Sequence, residues 1–296
     1  MAAQATDLTA SAPVLTDTVV GVGAPRRKWT RNLEVYIPAG ILIFIIGGCF
    51  LGPILWPVPA PVGGNVINAN LPVFAHNHIF GTDPVGNDIL SRIMYGGRVS
   101  FEISFGTVAL GTVVGGLLGT FAAISAGWAE SLIMRIMDVL IAFPSLVLVL
   151  VLAQALKPSE INVIWALAFF AIPAVSRLAR SAALRVREMD YMLAAKLSGT
   201  SKWRILTRHM APNVLPQLLT IGLLAIGLII MLEAALSYLG FSIPPPQPSW
   251  GNMINLGQSY LSSNPDLVLI PCAFLFVTIV CLNMLSDAAR ARYATL

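Results

Sequence analysis

Six stretches of this sequence carry almost no charge over lengths that approach a membrane's thickness. Val35 to Trp56, Val139 to Leu156, Ile161 to Ser176, Met210 to Leu232 and Leu267 to Ser286 have no Asp, Glu, Lys or Arg; Val99 to Ala129 has only Glu102, close to one end. Crossing about 30 Å of hydrocarbon as a helix takes about 20 apolar residues. Lipid offers no partner to a backbone N–H or C=O, so each segment must satisfy its own, which a helix does. The alternating polar and apolar pattern of a membrane barrel is absent. The prediction is an all-α polytopic membrane protein with six transmembrane helices. Composition agrees, since 11% of the residues are charged against about 25% in a soluble domain. Val35 to Trp56 is too long and too deep in the sequence for a cleaved signal peptide, and reads as a retained anchor.

Orientation follows from Lys and Arg, which are retained on the cytoplasmic side of membrane helices. With the N-terminus inside, fifteen of the eighteen basic residues fall on inner segments, from Arg26, Arg27, Lys28 and Arg31 through Arg185, Arg187, Lys196, Lys202, Arg204 and Arg208 to Arg290 and Arg292. Only Arg92, Arg98 and Lys157 fall outside. Both termini are therefore expected in the cytoplasm. Topology accounts for the formal charge of +4, and no nucleic-acid partner is expected.

Between the helices the chain divides as follows. Residues 1–31 read as a disordered cytoplasmic tail ending in the basic collar "RRKWTR", and residues 32–296 as one transmembrane domain. Within it, 57–98 form an outer, partly structured loop, 188–209 a cytoplasmic segment, and 241–266 a second outer segment in which "SWGNMINLGQSYL" has the pattern of a short amphipathic helix. Gly111, Gly115 and Gly119 place small residues on one helix face, where a neighbour can approach closely. Pro144 and Pro173 lie inside spans and can kink them.

Candidates for chemistry are few. There is no phosphate-binding loop of the Gly-x-x-x-x-Gly-Lys-Ser/Thr type, and Cys49, Cys272 and Cys281 lack the spacing of a metal or redox motif. His76 and His78 could share a metal from an extended loop, but no Cys or carboxylate stands immediately beside them. Asp138 reads as part of a local cluster with Arg135 and Glu130. Glu233 is different, because a carboxylate within a span must be paired, protonated or turned to water. It is read either as lining a pathway or as a buried structural hydrogen-bonding group, and Ser237 and Tyr238 follow on the same segment. In the cytoplasmic segment, "EMDYMLAAKLSG" reads as a short helix with Gly199 at its C-terminal cap. "TSKWRILTRHM" reads as a second, with Ser201 as N-cap and Trp203, Leu206 and Met210 on one face. A merely solvated loop needs no such "AA" and Gly, so a docking surface is expected.

At these residues the sequence resembles the inner-membrane permease subunits of bacterial ABC importers. Their cytoplasmic motif of Glu-Ala-Ala, three residues, then Gly is matched by Leu193, Ala194, Ala195 and Gly199, with Leu193 where the motif has Glu. "FGTDPVGNDILSRIMYGGRVS" is similar to a signature of the C-type subunit of dipeptide and oligopeptide permeases, with Asn87 where Arg is usual; "MRIMDVLIAFPSL" and "EAALSYLGFSIPPPQPSWGNM" match the same branch. The resemblance implies a type I importer permease fold with cytoplasmic coupling helices in the bacterial inner membrane. It implies ATPase coupling through Asp190, Leu193, Ala194, Ala195, Gly199, Thr200, Ser201, Lys202, Trp203 and Arg204, and a translocation pathway or permease interface at Glu233, Ser237 and Tyr238. The implied partners are a homologous B-type permease, two ATP-binding subunits, an extracytoplasmic substrate-binding protein and the lipid bilayer. No cofactor is expected in this chain and no bond chemistry; ATP and Mg²⁺ would belong to the ATPase subunits.

The leading expectation is ATP-driven import of short peptides. Within the family, nickel chelates or haem are the alternative cargo. An ion-coupled carrier acting alone is the alternative from another class, although such carriers use several intramembrane ionisable groups and repeat-built sites, and this chain offers Glu233 and no evident repeat. A structural membrane scaffold would leave the cytoplasmic helices unexplained.

Overall fold

The computed structural model describes residues 28–56, 58–75, 78–125 and 127–293. The expectations for residues 1–27 of the tail and for His76 lie outside them. The elements are α1 (Lys28–Leu55), α2 (Ile89–Ser125), α3 (Trp128–Ala142), α4 (Ser145–Ala155), α5 (Glu160–Arg187), α6 (Asp190–Leu197), the single turn α7 (Lys202–Arg204), a π-helical stretch Ile205–Met210, α8 (Ala211–Tyr238), α9 (Trp250–Gln258) and α10 (Asp266–Tyr293). Among the described residues there is no strand, only two isolated bridges in the loop after α1. Among the described residues five helices are long and apolar enough to cross a membrane, and α3 with α4 make a sixth span if the bent pair counts as one.

That sixth span is where the expectation of an unbroken helix over Val139 to Leu156 fails. The chain bends by 91° between α3 and α4. Pro144 has no N–H to give the preceding turn, and it pushes the residue before it out of helical geometry. Phe143 accordingly sits at φ −77°, ψ 138°, and Pro144 becomes the residue from which α4 starts. Pro173, by contrast, lies inside a continuous α5.

Several helices outrun their apolar runs, α2 and α5 among them. α2 begins at Ile89, so residues 89–98 of the expected outer loop are helical. Asp88 makes this possible: its carboxylate accepts from the Ser91 N–H at 2.7 Å, capping the helix start, and from His78 Nδ1 at 2.7 Å. α5 continues past Ser176 to Arg187 because its arginines find partners. Arg177 donates to Asp138 at 2.6 Å, Arg180 Nε to Glu130 at 2.7 Å, and Arg187 to the Ala123 carbonyl at 2.8 Å. Asp138 and Glu130 thus bind α3 to α5 rather than pairing with Arg135.

α2 and α5 pack along much of their lengths. The glycine stripe permits it: a Cβ on Gly119 would run into the Ser176 carbonyl and lie 2.8 Å from Ala179 Cβ. The bundle has two ends, named here for Gly199 and Trp250. At the Trp250 end, the fully buried Trp250 of α9 packs edge-on to Phe101, with centroids 5.6 Å apart, and its Nε1 donates to the Ile93 carbonyl at 3.0 Å. The expected amphipathic helix is therefore pinned to α2 by its indole. At the Gly199 end, Ala123, Ala179, Ala183, Met192, Met210 and Val214 belong to a separate apolar core. The loop between α1 and α2 is tied by side chains, with Asn87 accepting from Gly64 N–H at 2.8 Å and donating to Asp83 at 2.8 Å.

Candidate functional site: a helical elbow and a buried carboxylate

α6 starts with Asp190 in its first turn, where a carboxylate complements the positive end of the helix dipole. It ends in a Schellman arrangement. Thr200 N–H reaches back to the Ala195 carbonyl at 3.1 Å, Ser198 N–H to Ala194 at 3.0 Å, and Gly199 adopts φ +70°. A Cβ on Gly199 would meet no atom within 4 Å, so the glycine is required by backbone conformation and not by space. Ser201 then starts the next turn, its Oγ accepting from Arg204 N–H at 3.4 Å and its carbonyl from Ile205 N–H at 2.9 Å. Two helical pieces meeting at Gly199 is what the sequence led us to expect.

The second piece is not a separate short helix. Lys202 opens α7, which passes through the π-helical stretch straight into α8. The three residues expected on one face do not share it: Leu206 and Met210 are buried, whereas Trp203 is 70% exposed. The wider π winding, with i→i+5 bonds, does not hold the α-helical spacing on which a common face depended.

Met192 is the buried anchor of α6 in the bundle. Met192 is fully buried among Ala179, Ala182, Ala183, Val186, Met210 and Val214, and Asn213 of α8 donates to Tyr191 Oη at 3.1 Å. The following residue points the other way. Leu193 is 59% exposed and Leu197, one turn on, 81%, and Ala194, Gly199, Ser201 and Arg204 are exposed too. The elbow therefore has a buried foot and an uncovered apolar face. Large apolar side chains grouped in the open are the usual mark of an interaction site.

The second group of candidate residues lies near the Trp250 end of α8. Glu233 is fully buried. Ser100 Oγ of α2 donates to it at 2.8 Å and Ser242 Oγ at 3.3 Å. Ser237 is buried against Ser249, to which it is hydrogen-bonded, and half-buried Tyr238 donates to Gln258 at 2.8 Å. These three residues fasten the last turns of α8 to α2, to the proline-rich segment and to α9. Within this chain the Glu233 carboxylate is enclosed, with the Ser100 and Ser242 hydroxyls as its partners.

Three contributors went unnoticed in the sequence. Met192 is one: nothing in its local pattern separates it from exposed Met189. Arg92 is another, counted only as an outer basic residue. It is buried, donating to the carbonyls of Pro61 at 3.1 Å and Pro246 at 3.5 Å with Asp83 at 3.7 Å, and so ties both loops of that end to α2. The amides of Asn213 and Gln217 are the third; uncharged polar residues inside an apolar run were the available signal. No group of three His, Cys, Asp or Glu side chains able to hold a metal occurs among the described residues, and His78 is engaged by Asp88.

Comparison with known proteins agrees with this architecture. The profile of the family described as "Binding-protein-dependent transport system inner membrane component" matches residues 115–294. The glutathione transport system permease protein GsiD of Pectobacterium atrosepticum is 34% identical over 286 residues, 95% of this chain and 94% of that protein. The probable D,D-dipeptide transport system permease protein DdpC of Escherichia coli K12 is 38% identical over 213 residues, 72% of each. The methionine ABC transporter MetNI, solved facing inward, shares the fold with a TM-score of 0.55 at 16% identity, over 66% of this chain and 94% of that one. With a profile covering most of the helical bundle and relatives aligned over nearly its whole length, the chain belongs to the family of binding-protein-dependent transport system inner membrane components.

Proposed function

We propose that this chain is the C-type half of a peptide importer, pairing with a homologous B-type permease and coupled to two ATPase subunits through the elbow around Gly199. Family membership makes it a non-catalytic, multi-pass permease subunit of a bacterial inner-membrane ABC importer. The observation that carries the finer reading is the two-sided α6: Met192 set into the bundle core while Leu193 and Leu197 stand uncovered. A helix built this way can take a push on its open side and deliver it to α5 and α8 through its foot. Peptide cargo is supported by the names of relatives aligned over most of the chain, which speak of glutathione and D,D-dipeptide transport. Nickel chelates or haem are the alternative cargo. The ion-coupled carrier is set aside by the family. The Gly199 end is then cytoplasmic, ATP and Mg²⁺ belong to the ATPase subunits, and an extracytoplasmic binding protein delivers cargo at the Trp250 end.

The test is to reconstitute the permease pair with its ATPases and binding protein and to substitute Gly199→Glu. Inserted complexes that lose their ATPases, or hydrolyse ATP without taking up peptide, are expected. Unchanged subunit retention, ATPase stimulation and peptide uptake would refute the coupling role of the elbow.

A further inference from the structure

We infer that the cavity at the Gly199 end between α5, α8 and α10 is a water-filled, anion-attracting vestibule that receives the carboxylate and backbone amides of cargo leaving the transporter. This deepens the peptide-import reading and rests on it for the identity of the cargo.

The cavity measures about 580 Å³ and is lined by Leu178 of α5, Asn213, Gln217, Thr220 and Ile221 of α8, and Arg290 of α10. Its position is at odds with a lipid-facing wall. Asn213 and Gln217 are both exposed within the first two turns of α8, a helix whose remainder is almost wholly apolar. Polar side chains in a membrane span turn toward protein or water, because hydrocarbon leaves their hydrogen bonds unmade. Spaced four apart, the two amides lie on one face of the helix, and Thr220 continues it three residues on.

The chemistry of that face is specific. Arg185 donates to Gln217 Oε1 at 3.0 Å, which turns the carboxamide so that its N–H₂ is left to donate. Asn213 is held the opposite way: its Nδ2 donates to the His209 carbonyl at 2.6 Å and to Tyr191 at 3.1 Å, leaving Oδ1 to accept. One amide thus offers a donor and the other an acceptor, the pair that a peptide bond requires whatever its side chains. Arg290 and the nearby Arg185 bring positive charge, and among the described residues no acidic side chain lines the cavity. A guanidinium presents several donors in a plane that suits a carboxylate. The Asn213–Tyr191 bond also ties this wall to α6, so displacement of the elbow shifts an acceptor that faces the cavity.

The assembled complex, with Cys49, Cys272 and Cys281 replaced by Ser, would carry Asn213→Cys, Gln217→Cys or Thr220→Cys in turn. Each would be treated with an anionic sulfonate-bearing and a cationic trimethylammonium-bearing methanethiosulfonate. We expect the exposed Asn213 and Gln217 positions to label readily and Thr220, which is 8% exposed and bonded to the Pro216 carbonyl, more slowly, the anionic reagent reacting roughly tenfold faster, as a cleft lined by one sign of charge concentrates its counter-ion. Adding Arg290→Gln should remove most of that difference. Failure of both reagents at all three positions would mean that lipid or a partner helix fills the cavity, and equal or cation-favoured rates would mean that it attracts no anion; either result overturns the inference. Uptake of tri-alanine and of its C-terminal amide forms a separate arm. Arg290→Gln should lower uptake of the free acid more than that of the amide. Equal loss of both would overturn the carboxylate assignment. Anion-selective labelling in a complex that transports neither peptide would refute the peptide reading while leaving the vestibule in place.

Discussion

Met192 and Leu193 are adjacent in α6 and face opposite ways, so their alanine variants separate the two jobs assigned to the elbow. Met192 is fully buried, and truncating a buried Met to Ala costs about 2–5 kcal/mol through lost transfer energy and the cavity left behind. The other tie from α6 to α8 is the Tyr191–Asn213 hydrogen bond, which is exposed and contributes about 0.5–1.5 kcal/mol. α6 has eight residues, too few to persist as a helix without docking. Its seating therefore rests largely on one side chain. Losing about 2 kcal/mol, the low end of the range, lowers the ratio of docked to undocked α6 roughly thirtyfold, at 1.4 kcal/mol per factor of ten. Leu193 is 59% exposed, and exposed truncations stay within about 0.5 kcal/mol. In reconstituted complexes, Met192→Ala should lower thermal stability and the amount of cargo taken up per ATP while the ATPases stay bound. Leu193→Ala should leave stability unchanged and weaken ATPase retention. Met192→Ala with wild-type stability and wild-type uptake per ATP would refute the anchoring argument. Leu193→Ala with full retention would remove that residue from the docking face.

The other expectations are simpler to test. Glu233→Gln should keep assembly and uptake close to wild type, whereas Glu233→Ala strands the hydroxyls of Ser100 and Ser242 and should cost about 1–3 kcal/mol; loss of uptake in a normally stable Glu233→Gln complex would restore a pathway role to the carboxylate. Gly119→Leu should prevent the close packing of α2 on α5 and yield little stable protein, while Gly199→Ala, which meets no neighbour, should cost only about 1–2 kcal/mol from its left-handed backbone; similar thermal stability for the two would contradict this. Single cysteines at Asn65 and Gln247 should react with impermeant reagents from outside intact cells and one at Lys202 only from inside, and the reverse pattern would overturn the orientation.

The membrane class, the helical turns either side of Gly199 and the family resemblance were all legible in the sequence. Each depends on local quantities. Runs of apolar residues report on solvent, Gly199 on a backbone angle that only its own residue must tolerate, and motifs such as "LAAKLSG" on spacing along one chain. The stripe of Gly111, Gly115 and Gly119 announced a close helix contact in the same way. It could not say that α5 was the neighbour.

What tertiary structure alone decided is which side chains point inward. Met192 and Met189 are equally apolar, and only the arrangement of α5 and α8 buries one and exposes the other. Glu233 had two readings because a carboxylate in a span must be compensated, yet the compensating Ser100 lies 133 positions away and no local pattern can find it. Arg177 and Arg180 ended the fourth apolar run but not the helix, because Asp138 and Glu130 reach them from α3. Trp203 left the face it was expected to share once the chain adopted π winding, a choice made by packing at the junction with α8. Along the chain, hydrophobicity and backbone preference determined where helices could lie and in what solvent; the partners of each polar group were decided across the bundle, where hydrogen bonds and burial depend on distances that sequence order does not encode.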